Sequence, residues 1–227
     1  MVKYLLIACV ILLCSSCGSF LYSPGLSLTK EAVQKGDYTI SGGAGTFPET
    51  RPHAIRAVTA GYYLSAGYGF TDRVSLHVTG WGALQSYAFM GFRSGYSGHF
   101  RLVLRQSERS RFELVPRGAF VMHKNTIGGY GFGLTGVYVQ DLSSALYFYA
   151  GGGPAVGYQD PYSRVPGFNP DGSAMIGHLG LGLTVVKGLS VVFELNPLYS
   201  LNFRDDMYSV IFPGTLSLAW HLKERKP

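Results

Sequence analysis

The stretch AVTAGYYLSAGYGFTDRVSLHVTGWGAL, Ala57 to Leu84, decides the fold. Val58, Ala60, Tyr62, Leu64, Ala66, Tyr68 and Phe70 fall on one face of an extended chain. Ala57, Thr59, Gly61, Tyr63, Ser65, Gly67 and Gly69 fall on the other, because successive strand side chains point to opposite sides. After Thr71-Asp72-Arg73 the period of two resumes, with Val74, Leu76 and Val78 opposite Ser75, His77 and Thr79, so the unit reads as a hairpin. Strands in soluble proteins run to roughly 5–6 residues, and the first strand here is more than twice that. A tilted strand of about 9–11 residues crosses a bilayer, which makes lipid the expected solvent for the apolar face.

Composition points the same way. Charged residues are 14% of the 227-residue chain, against roughly 25% in soluble domains, too few to cover a water-facing surface. No apolar run after the leader reaches the roughly 20 residues of a membrane helix. An apolar-out, polar-in barrel with Tyr and Phe at its lipid interfaces reconciles the two observations. The formal charge of +6, one unit of it from Lys3 in the leader, comes without a basic, aromatic-interleaved cluster beyond Lys223-Glu224-Arg225-Lys226. That excludes a nucleic-acid surface and suits anionic lipid head groups or lipopolysaccharide.

The same alternation recurs along the chain. Further strands are expected at about 37–47, 96–106, 112–123, 129–139, 146–157, 174–186, 189–198 and 208–222. Pro116 and Pro154 fall inside two of them, and Pro116 leads us to expect a bulge there or a different strand boundary, since proline cannot donate to a ladder. The fold expected is all-β: a single closed antiparallel up-and-down transmembrane barrel of about ten strands, with eight or twelve the neighbouring even counts. The connections at 71–73, 107–110, 141–144 and 187–188 are short, and most of those alternating with them are longer, chiefly the Pro- and Gly-rich 159–172. An even count places both termini on the short-turn, periplasmic side.

Residues 1–16 read as a secretory signal, 17–36 as a tether, 37–222 as the barrel and 223–227 as a basic tail. Cys9, Cys14 and Cys17 all lie in or at the end of the leader, so no disulfide is expected in the mature chain. Leu13-Cys14-Ser15-Ser16-Cys17-Gly18 resembles a bacterial lipobox, which makes Cys17 the expected site of lipidation, such as palmitate. Together with Tyr22-Ser23-Pro24, Lys35-Gly36-Asp37-Tyr38 and the Ala66 to Arg73 strand and turn, it resembles a family of small, uncharacterised outer-membrane β-barrel lipoproteins of Bacteroidota. The resemblance implies a barrel lipid-anchored on the periplasmic side of the bacterial outer membrane and implies no activity.

With the apolar faces on lipid, the inward set comprises Arg56, Arg73, His77, His99, Arg101, Arg105, Arg111, Glu113, Arg117, His178 and Glu194. Their expected role is structural: a polar network in which Glu113 and Glu194 neutralise arginines, because buried charges must be paired. A narrow pore for small anionic solutes is the alternative carried by the excess of Arg. A rim enzyme would need Asp205, Asp206, His53 and His123 to converge, or a His and Ser two apart, for which His77-Val78-Thr79 is the nearest approach. A periplasmic lipocalin-like binding barrel is the soluble alternative. No catalytic residue, metal or cofactor is expected: the histidines lack ligand spacing, and Asn169-Pro170-Asp171-Gly172 reads as a turn. The expected function is therefore structural or interaction-type, with the 159–172 loop meeting a protein partner or lipopolysaccharide.

Overall fold

The computed structural model describes residues 25–51, 54–83, 92–123, 126–159, 171–202 and 207–223. Its strands are β1 (Tyr38–Arg51), β2 (Ala54–Thr71), β3 (Val74–Ala83), β4 (Phe92–Gln106), β5 (Ser110–His123), β6 (Thr126–Asp141), β7 (Leu146–Gln159), β8 (Asp171–Val186), β9 (Leu189–Leu195), β10 (Leu198–Asn202), β11 (Met207–Ile211) and β12 (Gly214–Leu222). Each pairs antiparallel with its sequence neighbour from β1 to β9, and β12 closes the ring between β9 and β1.

Twelve segments make ten barrel strands. β9 and β10 both pair with β8 in one unbroken register, from Leu195↔Leu179 to Leu198↔Ile176. Only Asn196-Pro197 interrupts them, and the Gly177 N–H still donates to the Pro197 carbonyl at 2.7 Å. β11 and β12 are likewise one strand broken at Phe212-Pro213, where the Asn196 N–H donates to the Pro213 carbonyl at 2.8 Å. In both places proline removes a donor without moving the partner, so the register survives.

Among the described side chains the outward face is apolar. Tyr62 and Leu64 are 55% and 65% exposed, while Tyr63 and Ser65 between them are buried. Aromatic residues gather toward both ends of this face. Tyr38, Tyr68 and Phe70 pack edge and tilt at 5.0–5.3 Å near the short-turn end, and Tyr96 meets Phe120 at 5.4 Å toward the other. Leu64, Val78, Leu179 and Leu218 lie exposed on the same face. An outer surface of this kind fits lipid and does not fit a soluble lipocalin-like barrel.

Several expected boundaries move. β1 runs on through Pro48 to Arg51 rather than ending at Phe47, with a register shift between Glu49 and Thr50. β4 begins at Phe92, and Asp171 and Gly172, expected in the loop, pair with Tyr158 and Gly157 as the first rungs of β8. The bulge expected at Pro116 is not there: Pro116 sits opposite Leu134, and the β4–β5 register is the same on both sides of it. The shifts in β4 fall instead at Phe92/Ser94 and Val103/Arg105. Pro154 behaves alike, paired with Met175 in an unshifted ladder. The two-residue turn Lys187-Gly188 forms as expected, with Gly188 at φ +82°.

Candidate functional site: a lumen filled by the N-terminal segment

The segment expected to be a tether is, from Gly25 onward, the content of the barrel. Leu26, Ser27, Leu28, Thr29, Ala32 and Val33 are all buried, and Leu28 is completely so. The path is traced by hydrogen bonds. Leu26 and Ser27 sit against Glu194 inside the lumen, and Lys30 reaches the β6–β7 turn, donating to the carbonyls of Ser143 and Ser144 at 2.9 and 2.7 Å. The chain then crosses the short-turn rim, where the Lys35 N–H meets Asp72 at 3.3 Å and the Gly36 N–H meets the Gly69 carbonyl at 2.9 Å, before β1 begins.

Glu194 on β9 is the centre of this arrangement. Its carboxylate accepts the N–H groups of Leu26 and Ser27, each at 3.0 Å, the Tyr149 hydroxyl at 2.5 Å and His178 Nδ1 at 2.9 Å. Asn196 Oδ1 lies 2.6 Å from the same Nδ1. Arg117 Nη2 lies 3.2 Å from His178 Nε2. A carboxylate can only accept and a guanidinium can only donate, so the imidazole carries its proton on Nδ1 and accepts at Nε2. Arg117 and Glu194 are thus joined through one buried ring rather than by direct contact. A Cβ on Gly25 would stand 2.5 Å from a Glu194 oxygen, so a side chain there would push the carboxylate away from the backbone it binds. On the far side, Tyr149 and Tyr147 lie flat across Gly180 and Gly182, whose missing side chains make room for the rings.

Two arginines hold the segment directly. Arg111 donates Nε to Glu113 at 2.5 Å, Nη2 to the Thr29 carbonyl at 2.6 Å and Nη1 to the Lys30 carbonyl. Arg101 donates Nη2 to the Leu26 carbonyl at 2.6 Å and Nε to His99 at 3.3 Å. His99 stacks on His77 with parallel rings 5.0 Å apart, and His77 Nε2 meets the Ser75 hydroxyl at 3.0 Å. Tyr147 donates to the Leu28 carbonyl at 2.7 Å, and the Ser27 hydroxyl contacts Tyr63. Among the described residues, three buried arginines therefore face two buried glutamates in the lumen, and backbone carbonyls of the segment meet donors of Arg101 and Arg111. The lumen is not uniformly polar: Val115, Val137, Val139, Val192, Ala219 and the two tyrosine rings form an apolar sector around Leu26 and Leu28.

At the rim the segment is tied to the last strand. Lys223 meets Glu31 at 2.6 Å, and His221 Nε2 meets Asp37 at 2.8 Å. Burial pushes the Glu31 carboxyl up, but the hydrogen bond and charge of Lys223 outweigh it and hold Glu31 below the usual carboxylate range. Lys223 is raised in turn, chiefly by its hydrogen bond to Glu31.

Of the residues expected in the interior, His77, Arg101, Glu113, Arg117, His178 and Glu194 are buried there, with His99 and Arg111. Arg73 is not: β2 and β3 pair up to Thr71↔Val74, which leaves Asp72-Arg73 as an exposed turn beyond the last rung. Arg105 is also exposed, past the register shift at Val103/Arg105. Cys17, His53, Asp205 and Asp206 lie outside the described residues, as do the side chains of Arg56 and His123. Among the described residues no cluster of His, Cys, Asp or Glu is arranged to hold a metal ion. What reading the sequence missed was the segment itself. Leu26 and Leu28 alternate with Ser27 and Thr29 between Pro24-Gly25 and the Gly36-Asp37 turn, and that short alternation was the available signal.

Among solved structures, the chain is similar to an outer-membrane channel from Pseudomonas putida F1, with a TM-score of 0.51 at 10% identity over 89% of this chain and 100% of that one. The fold is that of an outer-membrane β-barrel. It is also similar to the outer membrane protease OmpT from Escherichia coli (TM-score 0.47, 10% identity, 88% of this chain and 99% of that chain). A third similar structure is the N-terminal β-barrel domain of OprF from Pseudomonas aeruginosa (TM-score 0.40, 13% identity, 83% and 98%). No protein-family model and no curated protein matches the chain. Identities this low speak to the architecture of the barrel and not to its activity.

Proposed function

We propose that this protein is a structural or interaction component of the bacterial outer membrane, lipid-anchored at Cys17 on the periplasmic side, and that its barrel does not conduct. The observation that carries this reading is the lumen: residues 25–33 occupy it, bound by Glu194, Arg101, Arg111 and Tyr147. A barrel of this size has an interior that side chains alone nearly fill, and here a peptide is added to them. The pore for small anions is disfavoured by the same feature, because the arginines that would line it are engaged with Glu113, His178 and the segment's carbonyls. The β7 and β8 ends that flank residues 160–170 lie at the end opposite the short turns, and the proposal gives the connection between them the contact with a protein partner or lipopolysaccharide.

Membrane fractions and planar bilayers test this. The protein should resist carbonate extraction, migrate differently on gels before and after boiling, take up labelled palmitate in a Cys17-dependent manner, and be silent at all voltages. Steady single-channel conductance by the intact protein would replace the proposal with the pore.

A further inference from the structure

The contacts between the lumen and its occupant read main chain more than side chain. Six backbone groups of residues 26–30 are held by barrel side chains: two N–H groups by Glu194, and the carbonyls of Leu26, Leu28, Thr29 and Lys30 by Arg101, Tyr147 and Arg111. Within residues 25–30, Leu26 and Leu28, two residues apart, are received in the apolar sector of the wall. Main-chain hydrogen bonds for affinity, with pockets for alternate side chains for selectivity, is the way proteins bind extended peptides.

The occupant is also separable from the wall. Residues 25–30 take no part in any strand ladder, and the ring of ten strands closes through β1–β12, β12–β9 and β9–β8 without them. An empty lumen would take from Glu194, Arg101 and Arg111 the hydrogen bonds they make to the segment, leaving only those to Tyr149, His178, His99 and Glu113 on the wall, a loss that a second peptide of the same pattern makes good.

We propose that the lumen is a binding site for an extended peptide with apolar residues at alternate positions, occupied in cis by residues 25–30 and exchangeable for such a peptide in trans. This rests on the filled-lumen reading above. Exposed Lys35 at the rim, just before the buried Gly36, offers a place to separate ligand from site after folding.

The test uses the full mature chain carrying Cys17→Ser, so that no lipid retains the fragment, with a protease site introduced after Lys35, folded in detergent and then cut. A fluorescent peptide of sequence 24–35 should bind the cut barrel saturably, displace the native fragment, and ignore the uncut chain. The same peptide with both leucines replaced by lysine should not bind. Glu194→Gln should weaken binding roughly tenfold or more, as loss of a charge-assisted acceptor does. A native fragment that never exchanges, or one that leaves without any peptide replacing it, overturns the proposal. Conductance of the uncut chain is recorded in parallel: current there defeats the filled-lumen reading, whereas silence with no exchange defeats the peptide site alone.

Discussion

At the scale of single residues, Glu194 concentrates more of the interior than any neighbour. It joins the segment to β7 through Tyr149 and to β8 through His178. Glu194→Gln keeps the shape but places an amide NH₂ at one of the two oxygens, facing either the Ser27 N–H and the Tyr149 hydroxyl or the Leu26 N–H and His178 Nδ1–H, and it removes the charge that Arg117 answers through His178. Breaking a buried pair in this way costs about 3–5 kcal/mol. The expected outcome is a lower temperature for the gel-mobility shift, with residues 25–35 becoming open to limited proteolysis before the strands do. His178 could be singled out from the sequence as inward and polar, but not as the link between an arginine and a glutamate. Residues 117, 178 and 194 come from β5, β8 and β9, and only barrel closure brings them together.

At the scale of elements, β2 exemplifies what alternation settles. Its 18 residues exceed the span of the bilayer, and every second side chain from Ala60 to Phe70 is exposed. Leu64→Arg places a charge on the lipid face and should cost about 2–4 kcal/mol if the residue lies near the midplane, measured by urea titration of folding into vesicles. Ser65→Ala, one position along and facing the lumen, loses the hydroxyl that Thr79 donates to at 2.9 Å and should cost only about 1 kcal/mol. Equal penalties at the two positions would contradict the assignment of faces. β5 shows where alternation misleads: inward Val115, like Val137 and Val139 on β6, reads as a residue of either face, and the apolar sector that receives Leu26 and Leu28 went unread for that reason.

At the scale of the whole molecule, the segment and the closing strand are fastened to each other at the rim. Glu31 is held below its ordinary range by Lys223, so its contribution is present at pH values above the unfolded carboxyl pKa and is lost as pH falls through the lower folded one. Lys223 is raised, so its contribution is present below the unfolded amine pKa and disappears only as pH rises through the higher folded one. The tie is therefore intact across neutral pH and opens in acid. Both side chains are more than half exposed, which keeps the effect small. Protease protection of residues 25–35 should fall modestly between pH 7 and pH 3 in the wild type. In Glu31→Gln it should already be lower at pH 7 and lose that increment no further.

The sequence alone determined the period-two alternation, the length of the strands, the scarcity of charge and the distribution of short turns. Those are local or compositional properties, and they are enough for a lipid-facing barrel of about ten strands with a polar lumen; of the residues they place inside, His77, Arg101, Glu113, Arg117, His178 and Glu194 are buried there and Arg73 and Arg105 are not. Only the tertiary structure decided where the tether goes. Residues 25–33 are recognised mainly through backbone groups, which every sequence possesses, and by arginines and a glutamate on strands distant in the chain. Whether an inward arginine faces water, a carboxylate or a peptide carbonyl depends on what fills the barrel after it closes, and no spacing along the chain encodes that.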